Sequence, residues 1–430
     1  MRGHVGLRSG AALALTGALA LGVTAIALAA NAETTLVSVS SSGEAANDIS
    51  GNPALSGDGR FVAFTSFATN LDPSAPGGLF VRDLKTGTTQ LVAPASPRVQ
   101  PIQPSFSANG RFVAYAQPDR FGDGNIYLYD SKRGKTSVVT IGRNGKPAGG
   151  RSQNPSVSAN GRYVAFSSDS KQLTRPKPVA PRNEFVRDMK TGKTQQVNVT
   201  SNGKPGNGYC HHPSISADGR YVAYETEATN IVKGARGYNV YVRDLKRQRT
   251  IFASVSSSGK RANKGSHRAA ISGDGRYVAF VSKAKNLVKH DKNHWADIFV
   301  RDLRKGTTKL VSVSSSGKQA DHPSNVPAIS NHGGFITFES SAKNLVPGGS
   351  DGELHVFFRD EHSGKTVQVD VSSSGKSANT GVGVLIGAYT QSLAMSSDGR
   401  VAAFESPATN LVPGQRDGND AVYLRGPLHG

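Results

Sequence analysis

The sequence predicts an all-β protein: a single seven-bladed β-propeller of four-stranded antiparallel blades, closed by the N-terminal strand pairing into the last blade. Three observations predict it. Residues 272–280 read S-G-D-G-R-Y-V-A-F, and close copies begin at Ser56, Ser107, Ser158, Ser216, Ser330 and Ser396, spaced from 51 residues (Ser56 to Ser107) to 66 (Ser330 to Ser396). A second motif, F-V-R-D or Y-V-R-D, follows in most units and ends at Asp83, Asp188, Asp244 and Asp302. Finally, the last unit stops after a third strand, whereas residues 34–40 supply an orphan fourth strand spelled T-T-L-V-S-V-S. Units of this length cannot bury their apolar faces alone, and a ring of them leaves no open sheet edge.

Taken in order, residues 1–32 read as a cleavable leader. Arg2 and Arg8 make a positive start, residues 11–30 are small and apolar, and Ala30-Asn31-Ala32 fits a small-x-small cleavage site. The mature domain is expected over residues 33–430, with no later stretch apolar enough to span a bilayer and a secreted, possibly wall-associated, address. Within a unit the plan is clearest in the fifth: a first strand over residues 268–272, a second over 277–282, a third over 297–303 and a fourth over 307–314. The Asp-Gly or Asn-Gly pair between the first two apolar runs is a strong hairpin signal, and a type I′ turn with φ > 0 at both central residues is expected there. Alternating β-branched and polar residues in the other runs argue half-buried antiparallel strands. Seven such units, with residues 34–40 completing the last, account for the mature chain.

The pairing of S-x-D-G-R-Y-V-A-F with F-V-R-D resembles the TolB-like, WD-type propeller repeats of secreted bacterial proteins. The resemblance covers the whole mature chain and implies the fold more than an activity, because the motif residues are turn and core residues. Many members of that family have six blades; the repeats here number seven. Prolyl-peptidase relatives carry a hydrolase domain gated by the propeller. Nothing is expected after the last blade here and no nucleophile elbow is anticipated, so that activity is not implied.

Fifty-one Lys and Arg against 31 Asp and Glu give a formal charge of +20, or +18 once Arg2 and Arg8 leave with the leader. Such a field favours acidic partners, notably an acidic polysaccharide or other cell-wall polymer, over neutral ones. Nucleic acid is not expected outside the cell. Cys210 is the only cysteine, so no intramolecular disulfide holds the fold. A monomer is expected.

Strand order leaves the long loops on one face, where the blade-to-blade crossings turn toward the central channel and function is expected to sit. Five and four residues ahead of each repeat serine stand Asn52, Gln103, Asn154, His211, His212, His267, Arg268, Asn325 and Gln391. They are expected to form a polar collar at the channel mouth. Lys146, Lys204, Lys260, Lys318 and Lys376 each follow a glycine at the start of a crossing and are expected to form a cationic ring on the same face. The histidines suggest a transition metal only weakly, because His322 is out of register with them. Asp291, Asn293 and Asp297 have the spacing that opens a calcium loop, but its twelfth position falls on Asp302, which reads as the aspartate of F-V-R-D. Trp295 is a candidate sugar platform. The expected function is non-catalytic: a secreted propeller, without a cofactor, binding an acidic glycan or a protein partner through its long-loop face. The alternative is a metal-dependent polysaccharide lyase acting at the channel mouth, since oligogalacturonate lyases are metal-dependent propellers.

Overall fold

A computed structural model of the chain describes residues 32–95, 100–119, 121–348, 350–382, 392–415 and 418–429. The leader apart from Ala32, and the collar candidate Gln391, lie outside the described residues. Among the described residues the strands form seven four-stranded antiparallel sheets. In blades one to six the strands run in sequence order from the innermost outward, for example Ser266–Ile271, Tyr277–Ser282, Asp297–Asp302 and Thr307–Leu310 in blade five. Blade seven combines Leu393–Met395, Ala402–Ser406 and Ala421–Gly426 with the N-terminal strand Glu33–Leu36, which pairs from Glu33 opposite Gly426 to Leu36 opposite Tyr423. The ring is therefore closed by its N-terminus. No helix among the described residues is long and apolar enough to cross a membrane.

Each repeat residue has a definite task. Ser56 Oγ donates to Asp58 Oδ1 at 2.5 Å and accepts the Phe61 N–H at 2.9 Å, which fixes the first turn. The turn is not type I′. Only the glycine is left-handed (Gly59, φ 72°) while Asp58 is not, and Gly59 N–H bonds the Ser56 carbonyl, so the loop is a type I turn followed by a left-handed residue. The Asp side chain wins because its carboxylate also accepts the Arg60 N–H. Where this glycine recurs as Gly110, an added Cβ would collide with the Phe61 ring of the preceding blade, so the position serves both turn and packing.

The arginine and aspartate of the two motifs are partners. Arg60 is bidentate to Asp83, with Nε 2.9 Å and Nη2 2.6 Å from its carboxylate, and lies over the Phe61 ring. Arg111 with Asp130, Arg162 with Asp188, Arg220 with Asp244 and Arg276 with Asp302 repeat this pair. Second strands are buried on both faces, as at Val278, Ala279 and Phe280, because every blade is sandwiched between two others.

The fourth strands are shorter than the sequence suggests. In blade five the ladder ends at Leu310, after which Val313 N–H bonds the Val311 carbonyl and residues 312–320 fold into a small hairpin. Its tip docks on the next blade: Ser315 Oγ accepts the Thr366 N–H at 2.9 Å. The same dock joins Ser257 to Thr308, Ser41 to Thr89 and, across the closure, Thr34 to Ser373. Buried arginines from the third strands secure these tips, as where Arg425 donates to the Val371 and Ser372 carbonyls and to Thr34 Oγ1.

Candidate functional site at the channel mouth

The innermost strands do not run straight into the channel mouth. In blades one to six the register slips by one residue, as between His211 and Ser214 in blade four. The residue four before the repeat serine then sits in the left-handed region: Asn52, Gln103, Asn154, His212, Arg268 and Val326 have φ between 45° and 55°. Proline follows at five of these six sites, and a bulge suits proline because the residue there is out of the ladder and needs no N–H. The bulges aim side chains inward. Gln103, Asn154, His212, Arg268 and Val326 line a cavity of about 160 Å³ on the propeller axis, floored by Ser105, Ser156 and Ser214.

The collar thus forms, with three departures. Blade six contributes Val326 to the cavity, whereas Asn325 is exposed and caps the Val326 N–H. Asn52 is 1% exposed and lies in the seam between blades seven and one. His211 and His267 stand on the rim beside the cavity. There they join a row of rings that the sequence did not disclose. Tyr209 and His211 are parallel with centroids 6.3 Å apart, His211 and Tyr238 are 6.2 Å apart, and Tyr238 and His267 are 5.2 Å apart. Arg182 Nη1 approaches His211 Nδ1 at 3.5 Å. Arg182 and Tyr238 occupy equivalent positions, one residue before the third strands of blades three and four, so repeat alignment one step further would have found them.

Electrostatics divide the labour along this rim. Burial, reinforced by His212, holds the His211 imidazole down at about 4, and burial likewise lowers His267, so both rings are neutral faces at pH 7. The positive charge comes from Arg182 and Arg268. Beneath them, Glu225 is 4% exposed. Burial, which would raise its carboxyl, is outweighed by His212 Nδ1 at 3.0 Å and by the Arg268 N–H, and the group stays ionised. Glu184, fully buried against the Ser167 hydroxyl, is pushed up to about 8 by that burial.

These residues do not fit a transition metal. Among the described residues no three His, Cys, Asp or Glu side chains gather around one point. His212 Nδ1 bonds Glu225 and leaves Nε2, buried and without a partner, as its one ligating nitrogen, while Cys210 is fully buried with its thiol pushed well up by that burial. His322 stacks on Trp295 at 6.0 Å, away from the collar. In the candidate calcium loop, the Gln319 amide donates to Asp291 at 2.9 Å and to Asp297 at 3.0 Å, and Asn293 Nδ2 donates to the Ala320 carbonyl. The carboxylates there already have donors, and burial pushes Asp297 up to about 6.

The five lysines stand at the outer ends of the crossings. The carbonyls of Lys146, Lys204, Lys260, Lys318 and Lys376 close the crossing hairpins, each 2.8 Å from the N–H four residues earlier. Since those hairpins dock on outermost strands, the exposed lysines ring the outer wall and not the collar. Residues 348–352, contrary to the expectation that no elbow occurs, spell G-x-S-x-G. The spelling is not an elbow: Ser350 Oγ donates to the Ala342 carbonyl at 3.0 Å and the chain runs on into the strand His355–Asp360.

No protein-family model matches this chain, and no curated protein sequence matches it. Among solved structures it is similar to an oligogalacturonate lyase in complex with manganese, at 12% identity over 93% of this chain and 91% of that one, with a TM-score of 0.54. The β-propeller domain of the Trilobed protease from Pyrococcus furiosus gives 11% identity, 90% and 97% coverage and a TM-score of 0.54. TolB from Acinetobacter baumannii is also a neighbour, at 14% identity and a TM-score of 0.43, and the chain spans 63% of its length. At such identities the likeness is one of architecture, and that architecture is the β-propeller, here with seven blades.

Proposed function

We propose that this propeller is a non-catalytic binding protein that takes an acidic glycan at the channel mouth. The observation that carries the reading is the row Tyr209, His211, Tyr238 and His267 flanked by Arg182 and Arg268. Neutral rings in a row suit the apolar faces of successive sugar units. Guanidinium groups suit their carboxylates, which they bind as a planar fork. The channel-axis cavity of about 160 Å³ is large enough for one substituent of a sugar rather than a whole ring system, so the polymer would lie across the mouth. A net charge of +20 would raise the rate of encounter.

The lyase alternative needs a base and a cation at one carbon; here His212 lines the cavity while His211 and His267 lie against the Tyr238 ring at its rim, an arrangement that suits stacking on a sugar. The test is a glycan-array screen of residues 33–430 at two salt concentrations, with and without chelator, followed by Tyr238→Ala and Arg182→Ala. Acidic oligosaccharides should bind without chelator dependence, and each variant should weaken binding about tenfold, the loss expected of one desolvated stacking or charged contact. Unsaturated sugar products, or binding indifferent to both variants, would defeat the proposal.

A further inference from the structure

Where blade seven meets blade one, buried oxygen acceptors outnumber their donors. Glu405 lies opposite Val422 in the ladder of blade seven, and Asp420, two residues before Val422, falls on the same face by strand alternation. Glu405 reaches across the seam to accept the Asn52 N–H at 2.9 Å, and the Asp420 carbonyl accepts the Ser50 N–H at 2.8 Å. The two acids therefore bracket the same three residues of blade one, 50–52. Between them is Gly51, where an added Cβ would collide with Glu405 Oε2. Blades three to six carry Gln153, His211, His267 and Asn325 at that position, so the glycine opens room for the carboxylate.

What is left over is unusual. Asp420 is 1% exposed, and neither of its carboxylate oxygens has a hydrogen-bond partner. Asn52 is equally buried; its Nδ2 goes to Thr65 Oγ1, and its Oδ1 has no partner. No Lys, Arg or His among the described residues pairs with either acid. An unpaired buried carboxylate is expensive, and natural proteins resolve it with a proton or a cation. The Asp291 loop differs, because Gln319 supplies donors there.

We propose that Asp420, Glu405 and the Asn52 side-chain oxygen form a binding site for a hard divalent cation of the calcium class, placed at the seam where the ring closes. The donor set is all oxygen, with two carboxylates and one amide, which suits calcium, and water can complete the shell. The absence of sulfur and imidazole argues against zinc. Bound there, the ion ties blade one to blade seven through side chains, beside the backbone clasp of the N-terminal strand.

The experiment is calorimetric titration of chelator-stripped residues 33–430 with calcium chloride, and separately with magnesium chloride, together with thermal melts under the same conditions. Calcium should bind at one site per chain and raise the melting temperature by several degrees. Both effects should vanish in Asp420→Asn and survive in Asp291→Asn. Glu405→Gln provides a second variant should Asp420→Asn fail to fold. If calcium neither binds nor shifts the melt, and Asp420→Asn stabilises the ion-free protein, the carboxyl is held by a proton and the proposal fails. It fails equally if binding is lost in Asp291→Asn but kept in Asp420→Asn.

Discussion

A chain shortened to begin at Ser42 loses the clasp of the ring, and the size of the loss follows from its contacts. The missing strand Glu33–Leu36 pairs at four positions with Ala421–Gly426. Val37 is fully buried and donates its N–H to the Val422 carbonyl at 2.7 Å, and Val39 is 6% exposed. Two buried valines contribute about 1.5–3 kcal/mol each. A handful of ladder hydrogen bonds add roughly 1 kcal/mol apiece. Thr34 Oγ1, which donates to the Val371 carbonyl and accepts from Arg425, leaves that buried guanidinium short of one partner. The total is on the order of 5–10 kcal/mol, comparable with the whole margin of an ordinary domain. The shortened protein should therefore melt near room temperature or aggregate through its bared edge. Adding a synthetic peptide of residues 33–41 should restore the melt in proportion to its concentration, because the peptide supplies the absent strand. Far-ultraviolet circular dichroism with a temperature ramp reads both effects. An unchanged melting temperature, or a melt that the peptide leaves untouched, would refute the closure argument.

Two further perturbations test other parts of the structure. His355, fully buried, is held between Asp370 at 2.6 Å and Asp351 at 2.9 Å, where blade four uses the neutral pair Asn239 and Ser254. His355→Asn or Asp370→Ser alone should cost about 3–5 kcal/mol by stranding a charge, while the double variant should recover most of it. Burial opposes the His355 charge, but the two carboxylates prevail and raise its pKa from 6.5 to about 9. Its contribution is thus fully present below pH 6.5 and is lost as pH rises through 9, so denaturant titrations should show the wild type declining relative to the double variant across that window. Changing Lys146, Lys204, Lys260, Lys318 and Lys376 together to Gln should slow association with an acidic polymer at low salt, yet leave affinity for a short acidic oligosaccharide within about twofold, since screening over about 8 Å isolates the outer wall from the collar. A tenfold loss of oligosaccharide affinity would place the lysines in the site, and an equal slowing from Lys85, Lys132, Lys190, Lys246 and Lys305 would reduce their effect to net charge.

The repeats made the fold legible because each motif residue acts within its own unit or on a neighbour at fixed spacing. Second strands such as Tyr277–Ser282 fall where the apolar run places them, and the closing strand was visible as an unmatched T-T-L-V-S-V-S. The misreadings have local causes. Val311 and Val313 continue the alternating pattern of a strand, yet the chain must leave the blade at Leu310 to reach the next, and a pattern of residue types does not reveal a change of direction. The same turn carried the lysines outward. Left-handed bulges were hidden because Asn52, His212, Arg268 and Val326 have little in common except their place. Arg182 and Tyr238 share one repeat position without sharing a residue type, so alignment can pair them, but only the meeting of blades three, four and five shows that they form a row with Tyr209 and the histidines.

Those bulges also bear on how specificity can change. Six blades present one residue each to or near the axis from the same backbone conformation, and the six residues are amide, imidazole, guanidinium and isopropyl in kind. Their side chains are projected by the bulge, so the backbone sets where a group is displayed and not which group it is. The five that reach the cavity, Gln103, Asn154, His212, Arg268 and Val326, therefore work as a dial of five places. Exchanging Val326 for Arg, or Arg268 for Gln, would alter what the mouth accepts while the Arg–Asp pairs and the N-terminal clasp go on holding the ring.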